Sequence, residues 1–218
     1  MKRPKSDIGQ AMLAAEEERL WGRALFWGIV AIGGAFFLAW AWQDDPWLAP
    51  PEGGETSVLA LYQTALTGIA ATALLIPAFA VFLFRNRAPR VWRLWEAFWT
   101  VSYVAFLVHI GWAVFVYHRG DWSAVMAASH VPYVWPAVAL ALWWPLDLWL
   151  ASREADERWW DGGQRLLLHA AVLGVALHSA AWQGQTLLAK IAGFALAGAT
   201  LASGFDAWRK WQRRRAAE

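Results

Sequence analysis

The chain has 218 residues, of which 59% are hydrophobic and 17% are charged, and its formal net charge is only +2. A soluble globular domain has about 45–50% apolar and about 25% charged residues. The chain contains no cysteine, which excludes disulfides, iron–sulfur clusters and thiolate metal sites. The composition therefore indicates an integral membrane protein with little room for a soluble domain.

Long apolar blocks occupy most of the chain, and a bilayer is crossed by about 20 apolar residues. The sequence predicts an all-α, polytopic transmembrane helical bundle with about six spans. Residues 1–23 are predicted to be a cytoplasmic segment, residues 24–205 the six-helix transmembrane domain, and residues 206–218 a basic cytoplasmic tail. In chain order, the predicted spans cover residues 24–42, 58–84, 97–117, 131–151, 166–182 and 187–205. The last two spans are joined by a tight turn, so a re-entrant pair is an alternative to two full crossings.

Basic residues are distributed unevenly around these spans. In the six-span arrangement, seventeen of the nineteen Lys and Arg residues lie on one side, and only Arg119 and Lys190 lie on the other. The positive-inside rule therefore predicts that both termini are cytoplasmic in a cell (inner or plasma) membrane. A re-entrant pair would also leave the tail inside, so the charge distribution does not distinguish the two alternatives for the last two spans.

Tryptophan is unusually abundant, with nineteen residues in the chain. Trp is favoured where one edge of the ring meets lipid and the other meets water. Many of these residues lie at the predicted span ends: Trp21, Trp42, Trp92, Trp95, Trp159, Trp160, Trp182, Trp208 and Trp211. The pattern predicts an interfacial belt together with packing surface, and a Trp-lined pigment or quinone pocket is the alternative.

Small residues recur at four-residue spacing along the sixth span. One set is Ala189, Gly193 and Ala197, and a second is Gly198 and Ala202. Such faces allow two helix backbones to approach closely. We expect close packing there, either within the chain or between subunits.

Two histidines lie in the outer halves of predicted spans. His109 is roughly 12 Å from the outer end of the third span and His178 is roughly 7 Å from that of the fifth, at about 1.5 Å per residue. At similar depth on facing helices, two neutral imidazoles could bind the iron of a b-type haem. The alternatives are hydrogen bonds to a carbonyl or hydroxyl group of a neighbouring helix, or a proton or quinone role.

A second group of polar residues is predicted at the outer surface. His118, Asp121 and His130 carry ligand types that copper and zinc accept. The two histidines are separated by an undefined loop, so solvated interfacial residues are the alternative interpretation.

Asp147 lies in the inner half of the fourth span, where an ionisable residue is costly and is a candidate for function. His169, in the inner half of the fifth span, is its predicted partner. An Asp–His pair could relay a proton. The alternative is a structural hydrogen bond from Asp147 to a neighbouring helix.

No phosphate-binding glycine loop, zinc-peptidase motif or nucleophile elbow is present, so no catalytic motif is found. Three hypotheses for function follow. The first is a subunit or accessory protein of a membrane complex, with the bilayer and other membrane subunits as partners. The second is a b-type haem electron-transfer subunit, and the third is a small-solute or proton carrier. The basic tail directly follows a span, which favours contact with anionic headgroups over binding of nucleic acid.

Overall fold

The structure is a computed structural model that describes residues 7–41, 58–127, 131–153, 159–182, 184 and 186–215. Within these ranges every regular element is helical. The seven α-helices are α1 (Asp7–Ala41), α2 (Val58–Phe82), α3 (Pro89–Gly111), α4 (Trp122–Ala127), α5 (Val131–Ser152), α6 (Trp159–Leu177) and α7 (Leu187–Arg215). A 3₁₀ turn at Arg85–Arg87 precedes α3, and π-helical turns continue α3 over Trp112–Tyr117 and α6 over His178–Trp182.

Six of these helices are long and apolar enough to cross a membrane, which confirms the prediction of an all-helical, multi-pass architecture. The candidate spans cover Ala14–Ala41, Leu59–Phe82, Pro89–Tyr117, Val134–Ser152, Gly162–Trp182 and Leu187–Arg213. Each of the last two helices is long enough for a crossing of its own.

Several helices begin earlier or end later than the apolar blocks predict. α1 begins at Asp7, so part of the polar N-terminal segment and the first span form one helix. α3 begins at Pro89 instead of residue 97, and α6 begins at Trp159 instead of residue 166. Arg and Glu are good helix formers, so α1 and α3 extend through the charged residues that precede their apolar runs.

α2 lies at the centre of the bundle and packs against α1, α3 and α7. Its side chains are correspondingly the most buried of the six spans. α5 lies to one side and packs against α3 and α6. Close approach of α1 and α3 depends on Gly28, where a Cβ atom would lie 2.5 Å from Cγ1 of Val101.

Ion pairs and cation–π contacts join four segments at one end of the bundle, which we call the basic end. Arg90 and Arg93 of α3 pair with Glu16 and Glu17 of α1, at 3.0 and 3.5 Å respectively. Two cation–π contacts complete this set: the ammonium group of Lys210 in α7 lies over the ring of Phe84, and the guanidinium of Arg165 in α6 lies over the ring of Trp92. The start of α3, the start of α6, the end of α7 and residues 16–17 of α1 are therefore close together.

The two small-residue faces of α7 have different environments. Ala189 and Gly193 are buried against the π-helical turn of α6, where a Cβ atom on Gly193 would lie 2.7 Å from the backbone nitrogen of Ala181. Gly198 and Ala202 are exposed, and no neighbouring atom lies within 4 Å of a Cβ atom built on Gly198. The predicted close packing thus occurs within the chain on the first face.

The tryptophans whose side chains the structure describes range from exposed to fully buried. Trp182, Trp208 and Trp211 are exposed at span ends, as an interfacial belt predicts. Trp95, which was predicted to be interfacial, is instead fully buried. The reason is that α3 begins at Pro89, so Trp95 lies two turns inside the helix and faces α6.

Candidate functional site

An ion pair between Asp147 of α5 and Arg165 of α6 is buried at the basic end. Nε of Arg165 donates to Oδ1 of Asp147 at 3.0 Å, and the two side chains are 2% and 0% exposed. The carboxylate accepts two further hydrogen bonds, one from Nε2 of Gln164 at 2.8 Å and one from Nε1 of Trp99 at 3.0 Å. Three donors from two neighbouring helices therefore surround this carboxylate.

His169 lies one turn beyond Arg165 on α6, and both of its ring nitrogens are hydrogen bonded. Nε1 of Trp95 donates to Nε2 of His169 at 3.0 Å. Nδ1 of His169 lies 2.8 Å from the carbonyl oxygen of Arg165. Since Nε2 accepts the hydrogen bond from Trp95, the proton of the ring is assigned to Nδ1, which donates to that carbonyl oxygen. These two hydrogen bonds fit a neutral imidazole.

Aromatic rings enclose this histidine on both faces. Its ring stacks on Phe82 and on Trp99, each at a centroid distance of 3.8 Å and with interplanar angles of 12° and 16°. The guanidinium of Arg165 lies 5.1 Å from the ring centroids of both Trp92 and Trp95. The positive charge of Arg165 is thus balanced by Asp147 and lies beside aromatic faces, which attract cations.

Helical spacing explains why these side chains meet. Trp95 and Trp99 are four residues apart on α3, and Arg165 and His169 are four residues apart on α6, so each pair occupies one face of its helix. The two faces pack together, and Asp147 of α5 closes the third side. We call the six residues the buried polar cluster: Trp95, Trp99, Asp147, Gln164, Arg165 and His169.

Burial makes this cluster a strong constraint on helix arrangement. Each isolated ion would cost several kcal/mol to remove from water, and a buried pair is tolerated only when the remaining polar atoms are also satisfied. Here the carboxylate has three donors and the imidazole has a partner at each nitrogen. The cluster therefore holds α3, α5 and α6 in one relative position.

The structure brings the predicted partners Asp147 and His169 into the same cluster, with Arg165 between them. Arg165 donates to the carboxylate through its side chain and accepts from the imidazole through its backbone. Proton relay between Asp147 and His169 stays a prediction, and it would have to pass this guanidinium.

His109 contacts α2. Its Nδ1 lies 3.0 Å from the carbonyl oxygen of Thr64 and 3.4 Å from the hydroxyl of Thr67. The ring rests on Gly68, where a Cβ atom would lie 3.0 Å from Cε1 of the imidazole. The predicted second haem ligand, His178, begins the π-helical turn that packs against α7. Haem ligation by this pair stays a prediction.

The group that was predicted to lie at the outer surface contains a helix cap. Oδ1 of Asp121 accepts hydrogen bonds from the hydroxyl of Ser123 at 2.6 Å and from its amide at 2.8 Å. The hydroxyl bond is the largest cause that holds the pKa of Asp121 below its usual value, followed by the amides of Ala124 and Ser123. His118 stacks edge-on against Tyr117.

His130 lies outside the described residues, so a metal site with His118 and Asp121 stays a prediction. In the part of the chain that the structure describes, no three His, Asp or Glu side chains are grouped closely enough to hold a metal ion.

Arg165, Gln164, Trp95 and Trp99 were not predicted to be site residues. The four-residue spacing of Trp95 and Trp99 and of Arg165 and His169 was the available signal. The predicted fifth span begins at residue 166, which leaves Arg165 outside it, and Trp95 was assigned to the interface.

Comparison of this chain with protein-family models, with curated proteins and with solved structures finds no match.

Proposed function

We propose that the chain is a non-catalytic subunit or accessory protein of a membrane complex. The observation that carries this proposal is the saturation of the buried polar cluster by partners from the same chain. A group that binds a substrate or carries an ion must exchange its partners during each cycle. Exchange at Asp147 would leave a charge without a partner in a medium of low dielectric constant, where such a charge is costly. The cluster is therefore suited to fixing helices in place.

The proposal includes an orientation, with both termini in the cytoplasm. Its support is that seventeen of the nineteen basic residues lie in the segments assigned to one side. The contacts at the basic end agree with that assignment, since they join α1, α3, α6 and α7 at the same end of the bundle. A reporter enzyme fused after Gly184 is expected to lie outside the cytoplasm. Cytoplasmic activity of that fusion would contradict the six-crossing arrangement.

Native extraction tests the subunit hypothesis. The chain would be expressed from its own locus with a C-terminal tag and extracted in polymer-bounded membrane discs. We expect a second protein at a fixed stoichiometric ratio, measured by quantitative mass spectrometry, and a complex mass well above the 24.4 kDa of the chain. Discs that hold only copies of this chain and lipid would contradict the proposal.

A b-type haem subunit is the second candidate, and one contact favours it. Nδ1 of His109 is placed to donate to the carbonyl oxygen of Thr64. A histidine that ligates a metal commonly donates its other ring nitrogen to a carbonyl group, which leaves the second nitrogen available. Haem would supply reversible one-electron chemistry, and this chain would contribute the imidazole and its orientation.

A visible spectrum tests the haem candidate. Protein purified from cells supplied with haem should show a Soret band and a reduced-minus-oxidised difference spectrum. His109→Ala should abolish both, and His178→Ala should convert a six-coordinate spectrum into a five-coordinate one. His118→Ala, outside the candidate span, is the control and should leave the spectrum unchanged. A colourless wild-type preparation would exclude haem, and a normal spectrum in His109→Ala would exclude this ligand.

A further inference from the structure

Four cations gather where the turn before α3 meets the end of α7, and we call them the basic patch: Arg87, Arg209, Lys210 and Arg213. Three of them lie on adjacent turns of α7, because residues three or four apart on a helix are neighbours. One carboxylate, that of Asp206, pairs with Lys210. Among the side chains that the structure describes, these four positive charges and the carboxylate of Asp206 leave a local excess of three, and like charges this close repel one another.

The turn and α7 are joined by a shared aromatic ring. The guanidinium of Arg87 lies 4.2 Å from the ring centroid of Phe84, and the ammonium group of Lys210 lies 4.7 Å from the same centroid. The two cations come from segments more than 120 residues apart in the sequence. The patch is therefore assembled by the fold and is not simply a basic run in the tail.

The depth of the patch follows from helix length. α7 begins at Leu187, and about 20 residues cross the hydrocarbon core. Hydrocarbon therefore ends near residue 207, and Arg209, Lys210 and Arg213 fall within about two turns of that level. Exposed apolar rings adjoin them on the same helix, namely Phe205, Trp208 and Trp211. Cations at the headgroup level, tryptophans at the interface and Phe205 at the acyl level match the parts of a phospholipid.

We propose that the basic patch binds the phosphate headgroup of an anionic phospholipid. Arg87, Arg209 and Lys210 supply charge-assisted donors to the phosphate oxygens, and Phe205 and Trp208 contact the first carbons of the acyl chains. The bound anion relieves the repulsion among the cations. This site is independent of the buried polar cluster, whose Arg165 is neutralised by Asp147.

Native mass spectrometry tests the proposal. Purified protein would be exchanged into mixed micelles with equal amounts of phosphatidylglycerol and phosphatidylcholine of identical acyl chains. The wild-type protein should retain phosphatidylglycerol preferentially. Arg87→Gln/Arg209→Gln should reduce that preference by about twenty-five-fold, since each basic residue near an anionic surface contributes roughly a factor of five. Arg209→Gln/Arg213→Gln, which keeps Arg87 in the turn before α3, should also reduce the preference for phosphatidylglycerol.

The matched control is Arg19→Gln/Arg23→Gln. These two exposed residues lie on α1 and their loss changes the net charge by the same amount, so the lipid preference should persist. Equal melting temperatures in phosphatidylcholine alone would show that all variants are folded. Equal retention of both lipids by the wild-type protein would overturn the proposal, as would equal losses in control and patch variants. Binding of single-stranded RNA in place of the lipid would also contradict it.

Discussion

Replacing Arg165 by Met is expected to lower the free energy of unfolding by about 3–5 kcal/mol. The methionine fills most of the space of the arginine stem, but it leaves the carboxylate of Asp147 buried without a counter-ion. Two donors, Gln164 and Trp99, remain, and they satisfy the hydrogen bonds without neutralising the charge. Reversible unfolding in mixed micelles, followed by circular dichroism, would measure the loss.

A double-mutant cycle separates the ion pair from simple packing. Asp147→Asn/Arg165→Met removes both charges. The amide oxygen of the new side chain at position 147 can still accept a hydrogen bond from Trp99 or Gln164. We expect this double variant to be more stable than Arg165→Met alone, with a coupling energy of about 1–3 kcal/mol. Lys210→Met is the control, because its exposed ion pair with Asp206 should contribute about 0–1 kcal/mol. Additive losses in the cycle would show that Asp147 and Arg165 are not energetically coupled.

Replacing Gly193 by Val is expected to separate α6 from α7 locally and to cost about 1–3 kcal/mol or more. A Cβ atom at this position would lie 2.7 Å from the backbone nitrogen of Ala181, 2.9 Å from its Cα atom and 2.8 Å from its Cβ atom. None of these atoms belongs to a flexible side chain, so the clash can be relieved only when one helix moves. Thermal unfolding in detergent would measure the loss of stability.

Gly198→Val is the matched control for this second prediction. Gly198 lies on the same helix as Gly193, and its replacement by Val makes the same change in side-chain volume and intrinsic helix preference. Its Cβ atom would meet nothing within 4 Å, so its effect should stay within about 0.5 kcal/mol. Equal losses in the two variants would mean that α7 does not approach α6 closely at Gly193.

Together the two experiments test how α6 is held. The buried polar cluster joins its first half to α3 and α5, and the Gly193 contact joins its last turn to α7. The non-catalytic function proposed above requires the cluster to be structural. A variant of the cluster that kept full stability would remove that support.

Sequence patterns alone determined the number of membrane-competent helices and the concentration of positive charge in alternate connectors. Both properties can be read along the chain without knowledge of tertiary contacts. The thickness of the bilayer sets the number of apolar residues that a crossing needs. The predicted limits of the third and fifth spans were less accurate. Charged residues were assigned to connectors, and α3 and α6 began within those connectors.

Only the tertiary structure decided which polar side chains meet. Hydropathy does not record the rotation of a helix about its axis, so Asp147 was matched with His169, which lies at a similar depth. Packing shows that Arg165 is the direct partner of Asp147, and the negative charge of Asp147 is the reason that Arg165 can be buried there. The same limit applies to the glycines of α7: Gly193 and Gly198 look alike in the sequence, and only their neighbours distinguish them.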